Sequence, residues 1–440
     1  MKASKSIITI VLIVLVGMGW AFGVLGIMDG SSGDEKSGSY RKAIKQAEDY
    51  MERGLYQKAI VEYEFAVEEK NKVEDWSAMM AAYESRYQED EGIIDDYITA
   101  LKKAINEHKK DEFYQKLTEL CMEDDKYSVA YNYLEKAYED DKKNEIIEAL
   151  YYEVKYSCKL DGKSYSDMKP LCNDHYAVAS QGQWGILNID NSQTVSCDYN
   201  FIGSMNEEDM YIFSTDTMSG IIDSEDVLQG KYKFVPEDTG IFAEDLVAIK
   251  INEKWAYYDL LGDKQFGEYT AAGTFQDGKA AVCDGKEWML IDKNGKKASD
   301  SYEEIRLNTD GTYIKNSIML AKKNGTWKMY DEKEKEVGKF SCDNLDVVTD
   351  DELIAFEKNS LWGFVNLEGE VVIEPEYTEA KSFSEGLAGV SKGTLWGFID
   401  ENNRLVIENA YAEADYFNKE GNCMVKTAPD TWQLLKLNID

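Results

Sequence analysis

Side chains able to do chemistry are unevenly supplied. The chain offers 84 carboxylates but only two histidines, His108 and His175, far apart in sequence. A histidine proton relay or a multi-histidine metal site has almost nothing to be built from. Cysteines lie at positions 121, 158, 172, 197, 283, 342 and 423, with no Cys-x-x-Cys pair. Zinc needs thiolates and imidazoles at short spacing, and this pattern does not offer them. In an exported body some of the seven can pair, in a connectivity that spacing does not fix. Cys283 and Cys423 fall in strand-like apolar runs, where buried free thiols are expected.

No Gly-x-Ser-x-Gly elbow, His-Glu-x-x-His helix or phosphate-cradling glycine loop occurs. Asp292-Lys-Asn294-Gly295-Lys is the nearest approach to a calcium loop. It lacks alternating oxygen ligands and a terminal Glu, so it reads as a hairpin turn. Carboxylate pairs for glycoside hydrolysis are defined in space and cannot be picked out of so many acids. No catalytic, metal-binding or cofactor-binding residue is named, no cofactor is expected, and binding residues are left unassigned. The net charge of −35 repels phosphate backbones and argues against nucleic acid as a partner.

The elements that must position any site fall into three zones. Lys2 and Lys5 precede an uncharged run, and Ile7–Met28 alone would span roughly 33 Å as a helix, enough for a hydrocarbon core of about 30 Å. Lysines before it and Asp29, Asp34 and Glu35 after it predict an inside N-terminus and an outside body. A cleaved signal peptide is the competing reading, although its apolar core is normally shorter. A Gly/Ser-rich linker follows.

From Tyr40 to Tyr156 there is no proline, and apolar residues recur at three- and four-residue steps. Tyr56-x-x-Ala59 with Ala66 returns as Tyr127-x-x-Ala130 with Ala137, 71 residues later, which is two steps of about 35. This resembles the tetratricopeptide repeat, in which a small residue sits where two helices touch. The usual first-helix Trp and Leu-Gly, and the closing proline, are missing.

Beyond Cys158 the pattern becomes short apolar runs between turns. Leu361-Trp-Gly-Phe-Val and Leu395-Trp-Gly-Phe-Ile head two plain copies. Trp184, Ser219, Trp255, Trp288, Trp327, Trp362, Trp396 and Trp432 then mark eight units at steps of 33 to 39 residues. Four residues past the marker stand Asn188, Asp223, Asp259, Asp292, Asp331, Asn366 and Asp400, with Lys436 in the last. Seven past it come Gly262, Gly295, Gly369 and Asn403. Such residues close hairpins, so the acid has a structural explanation before a catalytic one. Tyr165, Tyr269 and Tyr377 each precede a marker by 19 residues, with Tyr199 and Tyr411 close to that phase.

This array resembles the WG-repeat (KWG-type) β family, a resemblance that specifies a fold module and says little about activity. Trp255, Trp288, Trp327 and Trp432 lack the following glycine. One unit cannot bury both faces alone, so the units must stack, with the tryptophans as shared core. Seven or eight units closing as a β-propeller, or an open array of hairpins, both satisfy this.

The expected fold is thus α+β multidomain: a transmembrane helix, a tetratricopeptide-like α-hairpin array, then an all-β array. Residues 1–6 form a cytoplasmic tail, 7–28 the signal anchor, 29–39 the linker, 40–160 the helical repeats and 161–440 the β domain. The expected function is a single-pass scaffold of the cytoplasmic membrane, binding a protein or cell-wall component outside. The alternatives are secretion after cleavage, a carbohydrate or small-ligand module, or a wall-acting enzyme.

Overall fold

The computed structural model describes residues 35–171, 175–188, 192–205, 210–427 and 430–439. The chain divides into two compact units, one reaching Lys109 and one beginning at Lys110. Four helices belong to the first: α1 Glu35–Glu52, α2 Tyr56–Lys70, α3 Val73–Glu89 and α4 Ile94–His108. Three more open the second: α5 Asp111–Glu123, α6 Tyr127–Glu139 and α7 Glu145–Lys155.

Within each unit the helices pair through their small residues. Ala59 and Ala66 on α2, and Ala130 and Ala137 on α6, are completely buried. With no proline to stop them, helices end on left-handed residues such as Asn71 (φ 40°) and Lys109 (φ 37°). Gly54 and Asp125, both left-handed, stand 71 residues apart, so the repeat is marked in the backbone too.

Among the described residues no helix is long and apolar enough to cross a membrane. Each is amphipathic. On α4 the acids Asp95, Asp96 and Glu107 and the lysines 102 and 103 flank the buried stripe of Tyr97, Ile98, Leu101, Ala104 and Ile105. The anchor expected over residues 7–28 lies outside the described residues. The transmembrane helix, the signal anchor and the cytoplasmic-membrane placement resting on them are therefore corrected. The described architecture is seven amphipathic helices followed by an eight-bladed propeller.

The blades begin at residues 167, 201, 238, 271, 304, 344, 379 and 413. Blade 6 shows the pattern, with Asn344–Leu345, Ile354–Lys358, Leu361–Val365 and Val371–Tyr377 in sequential antiparallel order. Neighbouring blades share core. Phe364 and Phe383 pack with Ala388, Val390 and Ile399 between blades 6 and 7.

Blade 8 supplies Glu413–Phe417, Asn422–Thr427 and Thr431–Leu437 from the C-terminus and borrows Cys158–Leu160 as its fourth strand. Its Met424 and Leu434 pack with Met168, Tyr176, Val178 and Leu187 of blade 1. Of the two architectures the sequence allowed, the closed ring is the one formed.

The tryptophan pairs across the third and fourth strands. Trp184 faces Tyr199, Trp255 faces Tyr269, Trp362 faces Tyr377 and Trp396 faces Tyr411. Each tyrosine thus belongs to the tryptophan before it, not to the one 19 to 21 residues after. Tyr165 obeys the same rule around the ring, bridging to Trp432. Trp327 alone among the marker tryptophans is fully buried; the other rings are half-buried at the margins of the inter-blade clusters.

The glycine after the tryptophan has a steric cause. Opposite Gly363 the outer strand bulges, and a Cβ there would lie 2.4 Å from the Ile373 carbonyl oxygen. The same contact would be 2.5 Å at Gly185 and 2.6 Å at Gly397. The departures fall where this bulge is changed or missing. Ala256 faces a strand relaxed by the left-handed Gly267 (φ 102°). Beyond Met289 and Lys328 only isolated bridges remain, and Gln433 lies between the Tyr165–Trp432 bridge and the Leu160–Leu435 pair, where the facing segment comes from the far end of the ring.

Gly363→Ala should therefore cost about 1–3 kcal/mol of stability, whereas Lys328→Ala in blade 5 should cost under about 1. Denaturant titration of both variants checks this. Lys159 pairs with Lys436 inside the closing strand, between the bonds that Asp161 N–H gives Leu434 and Asn438 N–H gives Ser157. Lys159→Pro should remove a ladder bond and lower the melting temperature by several degrees, read by calorimetry.

Candidate functional site

The phased acids are occupied by backbone. Asp292 Oδ1 accepts from the N–H groups of Asn294 and Lys296, at 2.8 and 2.9 Å. Asp223, Asp259, Asp331 and Asp400 each accept from the residues two and four further on. Gly262, Gly295, Gly369 and Asn403 all take the left-handed conformation that closes these turns. The backbone donors hold the carboxyls of Asp223, Asp292 and Asp331 below the usual range. The loop nearest to a calcium site is thus a hairpin turn.

The six described cysteines are free thiols, while Cys172 lies outside the described residues. Burial pushes the Cys342 thiol up to about 12 and Cys423 well above its ordinary value. His175 sits beside the Tyr211 ring.

A polar cluster that the repeat phase does not reveal lies at the inner strands. The N–H groups of Gly240, Gly273, Arg306, Asp346 and Lys381 occupy one equivalent position, each donating to the second strand of its blade. Glycine stands there in blades 3 and 4, and charge in blades 5 to 7. Asp346 Oδ2 accepts from Ser382 N–H and from Tyr416 Oη of blade 8, each at 2.7 Å. Lys381 lies 3.7 Å from the Asp415 carboxylate, with its ammonium over the Tyr416 ring. Arg306 donates to Asn344 Oδ1 and stacks 4.7 Å from the Trp327 ring centroid. Burial raises Asp415 against the opposing pull of Lys381, and burial together with Asp346 raises Tyr416. Each charge here has a partner from a neighbouring blade, so the cluster ties blades 5 to 8 together.

An open concavity lies in the helical unit, a groove of about 570 Å³. Its floor is Trp76, Met79 and Tyr83 of α3, with Val67 and Ala100 at the sides. Glu64 and Glu68 of α2 form one wall; Asp96, Thr99, Lys103 and Glu107 of α4 form the other. Asn71, left-handed at the end of α2, fixes one end of the groove. Its Oδ1 accepts from Trp76 Nε1 at 2.7 Å and from His108 Nε2 at 3.0 Å, and its Nδ2 donates to Glu107 at 2.6 Å. Tyr83 stacks on Tyr97 with centroids 5.5 Å apart, and burial beside Glu64 raises its hydroxyl to about 12. The floor is therefore rigid and aromatic, and the walls are mostly anionic. Sequence reasoning missed this groove because its residues come from three helices at no repeating phase.

Residues 362–394 and 396–427 match the WG containing repeat. These are the two copies that keep the full motif. No curated protein matches the chain. Among solved structures, Kluyveromyces lactis Hsv2p is similar at 10% identity, over 56% of this chain and 96% of that one, with a TM-score of 0.37. A chain from the S. cerevisiae complex of dbp5 with nup159 and gle1 is similar at 8% identity, over 63% and 98%, with a TM-score of 0.33.

The turn carboxylates carry a pH signature. Their folded pKa values lie below the ordinary 3.8, so their contribution is present above about pH 4 and is lost as pH falls through the lower folded value. Asp292→Asn keeps the accepting oxygen but loses the charge, so it should lower the melting temperature slightly near neutral pH and converge on the unsubstituted protein as pH falls below about 4. It should also flatten the loss of melting temperature below about pH 4, as scanning calorimetry across pH 2–7 would show.

Proposed function

We propose that this protein is an interaction scaffold that binds a protein or cell-wall partner through surfaces on its helical unit and propeller and turns over no substrate. WG repeats and a β-propeller suggest a protein-interaction module. The observation that carries the reading is the division of labour among polar side chains. The phased acids are occupied by hairpin backbone and the inner charges by neighbouring blades. The open groove, by contrast, keeps carboxylates at its rim. Surfaces outside the shared core are where repeat proteins place recognition.

Cross-linking the full chain in its native cell, followed by reciprocal capture, tests the reading. One partner recovered in constant ratio from both directions is the expected result. Turnover of a wall polysaccharide or peptide by the purified chain, abolished by a single carboxylate substitution that leaves it folded, would overturn it.

A further inference from the structure

The groove between α2 and α4 has the chemistry to select its occupant. Four carboxylates line it, from Glu64, Glu68, Asp96 and Glu107, against the single ammonium of Lys103. Neither Glu68 nor Asp96 has a lysine or arginine partner among the described residues, and both are exposed. Beneath them lie buried apolar and aromatic side chains of α3. On the outer flank of α2, Val61 and Phe65 are 54% and 41% exposed, one turn apart and on the stripe that carries Glu64 and Glu68. Apolar surface thus continues over the acidic wall.

We propose that this groove is the docking site for an extended, cationic polypeptide segment that places an apolar side chain over Trp76, Met79 and Tyr83. The inference rests on the interaction reading above and names the partner chemistry for one of its surfaces. Charge decides among occupants. A second copy of a chain with net charge −35 would bring like charge to the rim, and a polyanion would be repelled. A lysine- or arginine-bearing segment would pair with Glu68 and Asp96, and its charge would speed encounter at low salt. The groove's length along α4, from Asp96 to Glu107, is about 16 Å, room for roughly five extended residues.

The probe is a short fluorescein-labelled peptide of alternating lysine and leucine, titrated with the full chain and read by fluorescence anisotropy. Binding should weaken steeply with salt, should vanish for a glutamate–leucine peptide, and should be much weaker for a lysine–serine peptide. Glu68→Lys with Asp96→Lys should reduce affinity about tenfold or more. Thr99→Trp, at an exposed wall position, should block the groove without changing charge. Reversing two exposed blade 7 acids, Glu401→Lys with Glu408→Lys, should leave binding unchanged. Binding unaffected by the Thr99→Trp block would overturn the site even if the double lysine variant failed to fold. Equal affinity for the lysine–serine peptide would overturn the apolar anchor. Should the cellular partner still be captured by the groove variants, the groove assignment falls while the scaffold reading stands.

Discussion

The best-formed blades are organised by one close approach, between the glycine after Trp184, Trp362 or Trp396 and the carbonyl of a bulged outer strand. Where glycine sits there, the backbones come together, the bulge forms, and tryptophan meets tyrosine across the pair. The bulge adds local twist, and twist lets consecutive sheets fan around an axis. Where Met289 and Lys328 stand there the outer strand frays into single bridges, whereas the small side chain of Ala256 still faces a paired strand. The motif is therefore less a recognition sequence than a steric permission.

Much of the array was legible because that permission leaves a regular trace. The marker tryptophans, the Asp or Asn four residues on and the left-handed residue three beyond that are fixed by local turn geometry, which sequence spacing records directly. The assignment of tyrosines to tryptophans was not recorded. A tyrosine lies at similar distances from the markers on either side, and only hydrogen-bond register shows that Tyr377 answers Trp362. The tryptophans read as uniform core, yet most are half-buried, because a ring at the edge of an inter-blade cluster satisfies the same spacing as one at its centre.

Tertiary charge pairing was the least legible. Asp346 and Lys381 share a repeated backbone position whose residue type changes from blade to blade, and their partners are one or two blades away. The acidic groove is hidden for the same reason: α2, α3 and α4 each look like ordinary amphipathic helices until their polar margins face one another. The expected membrane span shows the opposite limit. Hydropathy spoke strongly over residues 7–28, outside the described residues, while every described helix is patterned for packing against protein.

The borrowed strand Cys158–Leu160 also sets an order of events during synthesis. It leaves the ribosome before any blade, yet its partner Thr431–Leu437 is made only after all the other blade strands. Until then the first blade lacks one neighbour, and a short strand with Leu160 exposed waits unpaired. Closure is thus a long-range event that comes after local hairpins have formed, the kind of contact that slows folding. A chain stalled before Thr431 would present two open ends of a nearly complete ring, each able to accept the matching end of another chain.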